Sequence, residues 1–139
     1  MIILDTNVVS GLMKERTDDR LVGWMDQQDR QSVWITAITV YETRLGLLRL
    51  ATGRRRSLLE EQFRLFLSTD LRGQILPFDR DAAEAAAHLD ALRRAAGRNV
   101  EIRDTQIAGI AIARGASLAT RNVRDFADLS VPVIDPWTA

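Results

Sequence analysis

Short apolar runs alternate with longer amphipathic segments along the chain, and this alternation restricts the possible folds more than any other feature. Residues 1–4 form an apolar run of strand length, whereas residues 55–69 place leucine and phenylalanine at helical spacing. The predicted order is strand, helices, strand, helices, strand, helices, strand, strand. We therefore expect an α/β domain with a central, mainly parallel sheet of four to five strands and helices on both faces.

Capping and stop residues set the expected boundaries of these elements. Thr36 or Thr39 can cap the third helix, which should end near Thr52 before Gly53, and Asp79 can cap the fifth. The expected strands are 1–4, 33–35, 74–78, 118–120 and 131–134, and the expected helices are 7–14, one opening at 18–19, one to about 52, 55–69, 79–97 and 103–114.

The length and composition predict one cytoplasmic domain over residues 1–139. The chain has no repeat, low-complexity tract or linker, and 46% hydrophobic residues suffice for one core. No apolar run approaches the ~20 residues of a membrane span, and no signal-peptide pattern precedes the first strand. The absence of cysteine excludes disulfides, thiolate zinc sites and cysteine nucleophiles, and a single histidine excludes a multi-histidine metal site.

Two acidic residues follow predicted strands. Asp5 comes directly after the first strand and Asp125 follows the fourth. In an open parallel sheet, functional sites gather at the carboxyl ends of the strands. The alternative is local: Asp5 is a helix N-cap, and Asp125 caps a short helical segment or forms an Asx-turn.

Two further acids lie on predicted helices that are otherwise apolar on the same face. Glu42 interrupts the apolar stripe of the third helix, and a buried carboxylate needs a partner or a cation. A salt bridge to Arg44 or Arg49 is the alternative. Asp104 lies in the first turn of an apolar helix, where its charge either interacts favourably with the helix dipole or points into a site.

Four acids at strand ends and helix starts, without cysteine, indicate a site for a hard cation. Mg²⁺ or Mn²⁺ prefers oxygen ligands and keeps waters that can be shared with a phosphate. Clustered carboxylates repel one another, and a divalent cation relieves that repulsion. Such a cation also activates water and neutralises a phosphodiester transition state.

Five stretches of the sequence resemble one known family over essentially the whole chain. They are Ile2-Ile-Leu-Asp5-Thr6-Asn7, Glu42 on the third helix, Arg103-Asp104-Thr-Gln-Ile-Ala108, Leu118-Ala-Thr-Arg-Asn-Val-Arg-Asp-Phe126 and Val131-Pro-Val-Ile-Asp-Pro-Trp137. In this order and spacing they resemble PIN-domain proteins, in particular the VapC-like toxin ribonucleases of type II toxin–antitoxin pairs, which include FitB and plasmid-stability proteins.

The resemblance implies roles for individual residues. Asp5 and Asp104 match the metal-binding aspartates, Glu42 matches the acid of the third helix, and Asp125 is the remaining acid. Supporting positions are also implied: Thr6 and Asn7 hold the first loop, and Thr120 contacts water or phosphate. Asn122 departs from the pattern, because some members carry aspartate there.

The resemblance also implies an activity and partners. The activity is Mg²⁺- or Mn²⁺-dependent hydrolysis of RNA phosphodiesters that leaves a 5′-phosphate and a 3′-hydroxyl. The partners are a second copy of the chain and a small antitoxin, which covers the acidic pocket and alone contacts DNA. No membrane partner is implied.

The zero net charge of the chain does not argue against an RNA substrate once the acids of the site are counted separately. Nineteen basic and 19 acidic residues give zero net charge, which argues against a nucleic-acid partner. Setting the four acids aside leaves 15 acidic residues against 19 basic ones. The basic cluster at the third helix junction either contacts RNA phosphate or is an ordinary solvated surface; it comprises Arg49, Arg54, Arg55 and Arg56.

Two other functions remain open. A phosphotransfer domain with Asp5 as acceptor is disfavoured, because Asn7 replaces the second acid of an Asp-x-Asp pair and the only lysine is Lys14. A catalytically weak PIN domain that acts as a binding module in an antitoxin and DNA complex is kept open by Asn122.

Overall fold

The computed structural model describes residues 1–139 and contains one five-stranded sheet. The strands are β1 (Ile2–Leu4), β2 (Val33–Thr36), β3 (Ile75–Leu76), β4 (Ser117–Ala119) and β5 (Val133–Ile134). Their order is β3-β2-β1-β4-β5, and every neighbouring pair is parallel. The predicted parallel α/β architecture is confirmed.

Six α-helices connect the strands: α1 (Thr6–Leu12), α2 (Asp19–Asp26), α3 (Ala37–Leu48), α4 (Arg54–Leu65), α5 (Arg80–Ala95) and α6 (Ile102–Arg114). Short 3₁₀ turns occupy Arg30–Ser32 and Val123–Phe126, and a π-helical turn, Phe66–Asp70, extends α4.

The helices cover both faces of the sheet because the strands are apolar on both faces. In β1, Ile3 packs into a core formed with α5 and α6, whereas the next residue, Leu4, packs into a second core formed with α1, α2 and α4. Leu118 and Ala119 of β4 divide between the same two cores. Side chains alternate across a strand, so consecutive apolar residues supply both layers.

Side-chain caps explain most helix boundaries. Asp5 caps α1, and the hydroxyl of Thr36 accepts the backbone N–H of Thr39 to cap α3. Several boundaries differ from expectation: α1 ends at Leu12 instead of residue 14, and β3 and β5 are shorter than the expected 74–78 and 131–134. The third helix ends at Leu48 instead of near residue 52, and α6 begins at Ile102 because the Glu101 carboxylate accepts the Arg103 N–H at 2.8 Å.

Close packing of α5 against α6 depends on a glycine. A Cβ at Gly109 would lie 2.6 Å from the Ala82 carbonyl oxygen and 2.6 Å from the Ala86 Cβ. Gly109→Ala is therefore expected to lower the free energy of unfolding by about 1–3 kcal/mol, through overpacking. Urea denaturation measures this change.

The control for that substitution is another helical glycine in open space. At Gly23 of α2, a Cβ would have no heavy atom within 4 Å, so Gly23→Ala should raise stability by roughly 0.5–1 kcal/mol through helix propensity. Equal effects of the two substitutions would contradict the packing argument.

No helix of the chain is both long enough and apolar enough to cross a lipid bilayer.

Candidate functional site

A polar pocket of about 430 Å³ opens at the carboxyl ends of the central strands. Three of the four predicted acids line it, namely Asp5, Glu42 and Asp104. They come from the end of β1, the middle of α3 and the first turn of α6. The pocket is therefore assembled by the topology of the sheet, which brings residues 99 positions apart in sequence to one edge.

Asp5 is buried, at 3% exposure, and its carboxylate is held on both oxygens. Oδ1 accepts the Thr6 backbone N–H at 2.8 Å, which makes Asp5 the N-cap of α1. Oδ2 accepts the Thr120 hydroxyl at 2.8 Å and the Asn7 side-chain amide at 3.0 Å. The N-cap and the pocket-lining interpretations of Asp5 thus both hold.

The loop after β1 is tied to the loop after β4. The Asn7 amide also donates to the Thr120 hydroxyl at 3.2 Å, and the Asn7 side-chain oxygen accepts the Arg121 backbone N–H at 3.2 Å. The Asn122 backbone N–H donates to the same Thr120 hydroxyl at 3.1 Å. Because Thr120 is fully buried, this network fixes the backbone around Asp5.

Glu42 is oriented by a threonine hydroxyl and not by an arginine of its own helix. Thr6 Oγ1 donates to Glu42 Oε1 at 2.8 Å, and Arg103 Nε lies 3.8 Å from Glu42 Oε2. The alternative salt bridge to Arg44 or Arg49 is wrong. The Arg44 guanidinium instead stacks over the Phe63 ring at 5.2 Å, and Arg49 is the exposed C-cap of α3.

The pocket disfavours negative charge. Burial and then the nearby charges of Asp5 and Glu42 raise the pKa of Asp104 to about 6. Burial also raises the pKa of Asp5, although hydrogen bonds from Thr120 and Thr6 oppose that shift. The folded protein therefore holds carboxylates whose ionised forms are destabilised until a cation or donor compensates them.

Asp125 lies apart from the other three acids. It is exposed in the 3₁₀ turn Val123–Phe126 and does not line the pocket, although its charge contributes to the raised pKa of Asp104. The structure therefore brings Asp125 near the pocket's edge without bringing it in. Asn122, the position that departs from the family pattern, does line the pocket.

The donor set fits a hydrated divalent cation. No three carboxylate or imidazole groups converge into a complete metal-ligand cluster. Mg²⁺ is commonly bound by only one or two carboxylates and otherwise by waters and substrate phosphate. Two partly desolvated aspartates facing an open polar pocket match that requirement, whereas they do not match a site that needs several protein ligands.

Two of the four predicted arginines line a groove beside the pocket, and the other two do not. Arg54 and Arg55 line a groove of about 780 Å³ that adjoins the pocket and shares Glu42 and Lys14 with it. Arg56 pairs with Glu60 at 2.8 Å, so it belongs to the surface of α4.

Several pocket residues were not predicted from the sequence. Lys14 and Arg121 place cations at the pocket, and the Arg121 guanidinium lies 4.8 Å from the Trp137 ring centroid. Thr39 does not line the pocket and was predicted only as a helix cap, but its buried hydroxyl lies 3.0 Å from that of Thr6, which does line the pocket. The only signals in the sequence were that Lys14 is the single lysine and that Arg121 lies inside the Leu118–Phe126 motif.

Comparison with known proteins gives consistent matches over nearly all of the chain. Residues 2–131 match the family model for the PIN domain. The chain is 36% identical over 137 residues to "VapC ribonuclease Y4jK" of Sinorhizobium fredii, covering 99% of this chain and 98% of that protein. It is 34% identical over 137 residues to "Toxin FitB" of Neisseria gonorrhoeae, covering 99% of each. The solved structure of FitAB bound to an IR36 DNA fragment superposes with a TM-score of 0.90 at 34% identity, covering 99% of this chain and 96% of that one.

Proposed function

Because the chain belongs to the PIN-domain family and, within it, to the VapC- and FitB-like toxins, we propose that it is the toxin of a toxin–antitoxin pair and acts as a metal-dependent endoribonuclease. The PIN domain then comprises residues 1–139. One observation carries the proposal. The acids of β1, α3 and α6 converge in a pocket at the carboxyl ends of the strands, in a chain that matches a ribonuclease over almost its full length.

In this function Asp5 and Asp104 would hold Mg²⁺ or Mn²⁺ and Glu42 would complete the site, whereas Asp125, which lies outside the pocket, would contribute only through water. When bound, the divalent cation lowers the pKa of a water molecule and neutralises charge on the scissile phosphate. Thr120 and Asn7 keep the Asp5 carboxylate oriented toward the pocket while Thr6 orients Glu42. Preorganised oxygens of this kind need no rearrangement during the reaction.

Basic residues around the acidic centre fit the phosphates of the substrate backbone. Lys14 lines both the pocket and the adjoining groove, and Arg54 and Arg55 extend positive charge along that groove. Contacts from lysine and arginine to phosphate position a nucleic acid without reading its sequence. We therefore propose that the RNA strand crosses the pocket with its flanking phosphates toward Lys14, Arg54 and Arg55, and that Arg49 and Arg56 contribute only through their longer-range positive charge.

The relatives support the proposed partners. FitB is named as a toxin, and the FitAB structure contains DNA. By analogy, this chain pairs with an antitoxin and reaches DNA only through it. From the family resemblance alone, we also propose that the antitoxin is small and covers the acidic pocket and that the chain forms a homodimer.

The direct test is RNA cleavage by the purified chain freed of its antitoxin. With Mg²⁺ or Mn²⁺ present, mapped fragments should carry a 5′-phosphate and a 3′-hydroxyl, and chelator should stop their formation. Expression of the chain alone, followed by mapping of RNA 5′ ends, extends the test to the cell. No cleavage with either metal would contradict the proposal.

A second function is favoured by one specific observation. Asn122 lines the pocket at the position where the family resemblance implies an acid in some members, and Asp125 lies outside the pocket. This arrangement suits a catalytically weak PIN domain that serves as a binding module in a complex with antitoxin and DNA. Equal growth arrest by the wild type and a pocket variant, without RNA cleavage by either, would favour it.

A further inference from the structure

Arg93 is the only arginine among the buried residues of the chain. It lies in the last turn of α5, and its side chain is 1% exposed, whereas the adjacent Arg94 is 78% exposed. A buried guanidinium is costly unless its N–H groups are paired and hydrogen-bonded. The hydrogen-bond partners of the Arg93 guanidinium therefore indicate the structural role of this residue.

Four hydrogen bonds satisfy the Arg93 guanidinium. Nε and Nη2 donate to the two carboxylate oxygens of Asp128 at 2.8 and 3.0 Å, in a bidentate arrangement that arginine makes and lysine cannot. The pKa of Asp128 is lowered by this pairing. Nη1 donates to the Thr105 hydroxyl at 2.9 Å, and Nη2 also donates to the Asp125 carbonyl oxygen at 3.1 Å.

These contacts join the two segments that carry the late acids. Thr105 directly follows Asp104 in the first turn of α6, and the accepted carbonyl belongs to Asp125 itself. Arg93 does not line the pocket, so it cannot touch a ligand there and can influence the site only through its contacts with these two segments. Arg98 also approaches Asp128 and the Asp125 carbonyl, but it is partly exposed and does not reach α6.

We infer that Arg93, locked by Asp128, is a positioning residue that fixes the first turn of α6 against the turn Val123–Phe126 and thereby holds Asp104, which lines the pocket, in the position in which it would bind a divalent cation. This inference rests on the proposed function, since it assigns a role toward the same site. Groups that orient the ligands of a metal typically contribute 10–100-fold to metal affinity or activity.

The test compares Arg93→Lys with Arg94→Lys, the same substitution one residue further along the same helix. Lysine keeps the charge but loses the bidentate pairing. Mn²⁺ alone is titrated by calorimetry, below the melting temperature of each variant, and RNA cleavage is measured in parallel. Arg93→Lys should raise the Kd for Mn²⁺ by about tenfold or more and lower kcat similarly. Arg94→Lys should leave both within twofold of wild type.

A second pair of variants keeps the inference testable if Arg93→Lys does not fold. Thr105→Val removes the hydroxyl that accepts from Arg93 and keeps the shape of the side chain, while Thr105→Ser keeps the hydroxyl. The valine variant should bind Mn²⁺ several-fold more weakly than the wild type, and the serine variant should retain most of the wild-type affinity. If the Thr105 side chain only filled space, Thr105→Val would bind Mn²⁺ as well as Thr105→Ser or better, and this result would contradict the inference.

The outcomes separate this inference from the proposed function. If Arg93→Lys lowers the melting temperature but leaves the Mn²⁺ affinity within twofold, or if the wild type does not bind Mn²⁺, the inference is overturned. If the wild type binds Mn²⁺ and Arg93→Lys loses that binding while no RNA is cut, the ribonuclease proposal fails and the positioning role stands.

Discussion

Asp5→Asn is expected to lower RNA cleavage by at least about 100-fold and to abolish growth arrest when the chain is expressed alone. Residues that merely orient a metal ligand contribute up to about 100-fold, so loss of a ligand charge should cost no less. Asparagine is as good an N-cap as aspartate, so α1 should still form. Initial rates with a fluorescent RNA in Mn²⁺, together with circular dichroism of both proteins, measure the effect.

The matched control is Asp81→Asn, the same change at an exposed aspartate in the first turn of α5. It should cleave RNA at the wild-type rate. If Asp5→Asn also retained full cleavage while folded, Asp5 would be only the N-cap of α1, and the activity would have to be sought at another site.

Mn²⁺ or Mg²⁺ should raise the melting temperature of the wild type, and Asp104→Asn should remove most of that rise. A ligand that binds only the folded state at 100 times its Kd contributes about 2.7 kcal/mol. For a chain of 139 residues this corresponds to roughly 5–10 °C. Differential scanning calorimetry with and without metal gives the shift directly. An undiminished rise in Asp104→Asn would place the cation elsewhere.

Two comparisons separate cation binding from loss of helix stability. Asp19→Asn removes an exposed first-turn acid from α2, as Asp104→Asn does from α6, and should leave the metal effect intact. In chelator, wild type should lose stability as the pH rises from about 4 to about 6, because the folded-state pKa of Asp104 is raised to about 6. Asp104→Asn should lack that contribution and be no less stable at neutral pH.

The sequence was sufficient to predict the sheet and three of the acids that line the pocket at its carboxyl edge, although the same reasoning also put Asp125 in the site, and the structure leaves it outside the pocket. Alternation of apolar runs with amphipathic helices dictates parallel pairing, and in a parallel sheet the residues after the strands must meet at one edge. Asp5 could be predicted from its position after β1, and Glu42 and Asp104 from apolar helix faces that a lone carboxylate interrupts.

Contacts between distant residues were beyond prediction from local patterns. Glu42 is oriented by Thr6, which is 36 positions away, so the arginines nearest in sequence suggested the wrong partners. Arg93 and Arg94 are indistinguishable in sequence, yet one is buried and the other exposed, because the buried one faces Asp128, 35 positions on. Which of the two arginines is buried depends on how α5 is rotated about its axis relative to the rest of the fold, and no local sequence pattern contains that information.

The division of β1 between two cores restricts where the length of the chain can change. Ile3 and Leu4 face opposite layers, and Asp5 follows immediately. Inserting or deleting one residue within this strand would exchange the two layers and rotate the Asp5 carboxylate away from Thr120. Insertions and deletions are compatible with this fold in exposed connections such as residues 51–53, whereas the number of residues from Ile2 to Asp5 cannot change.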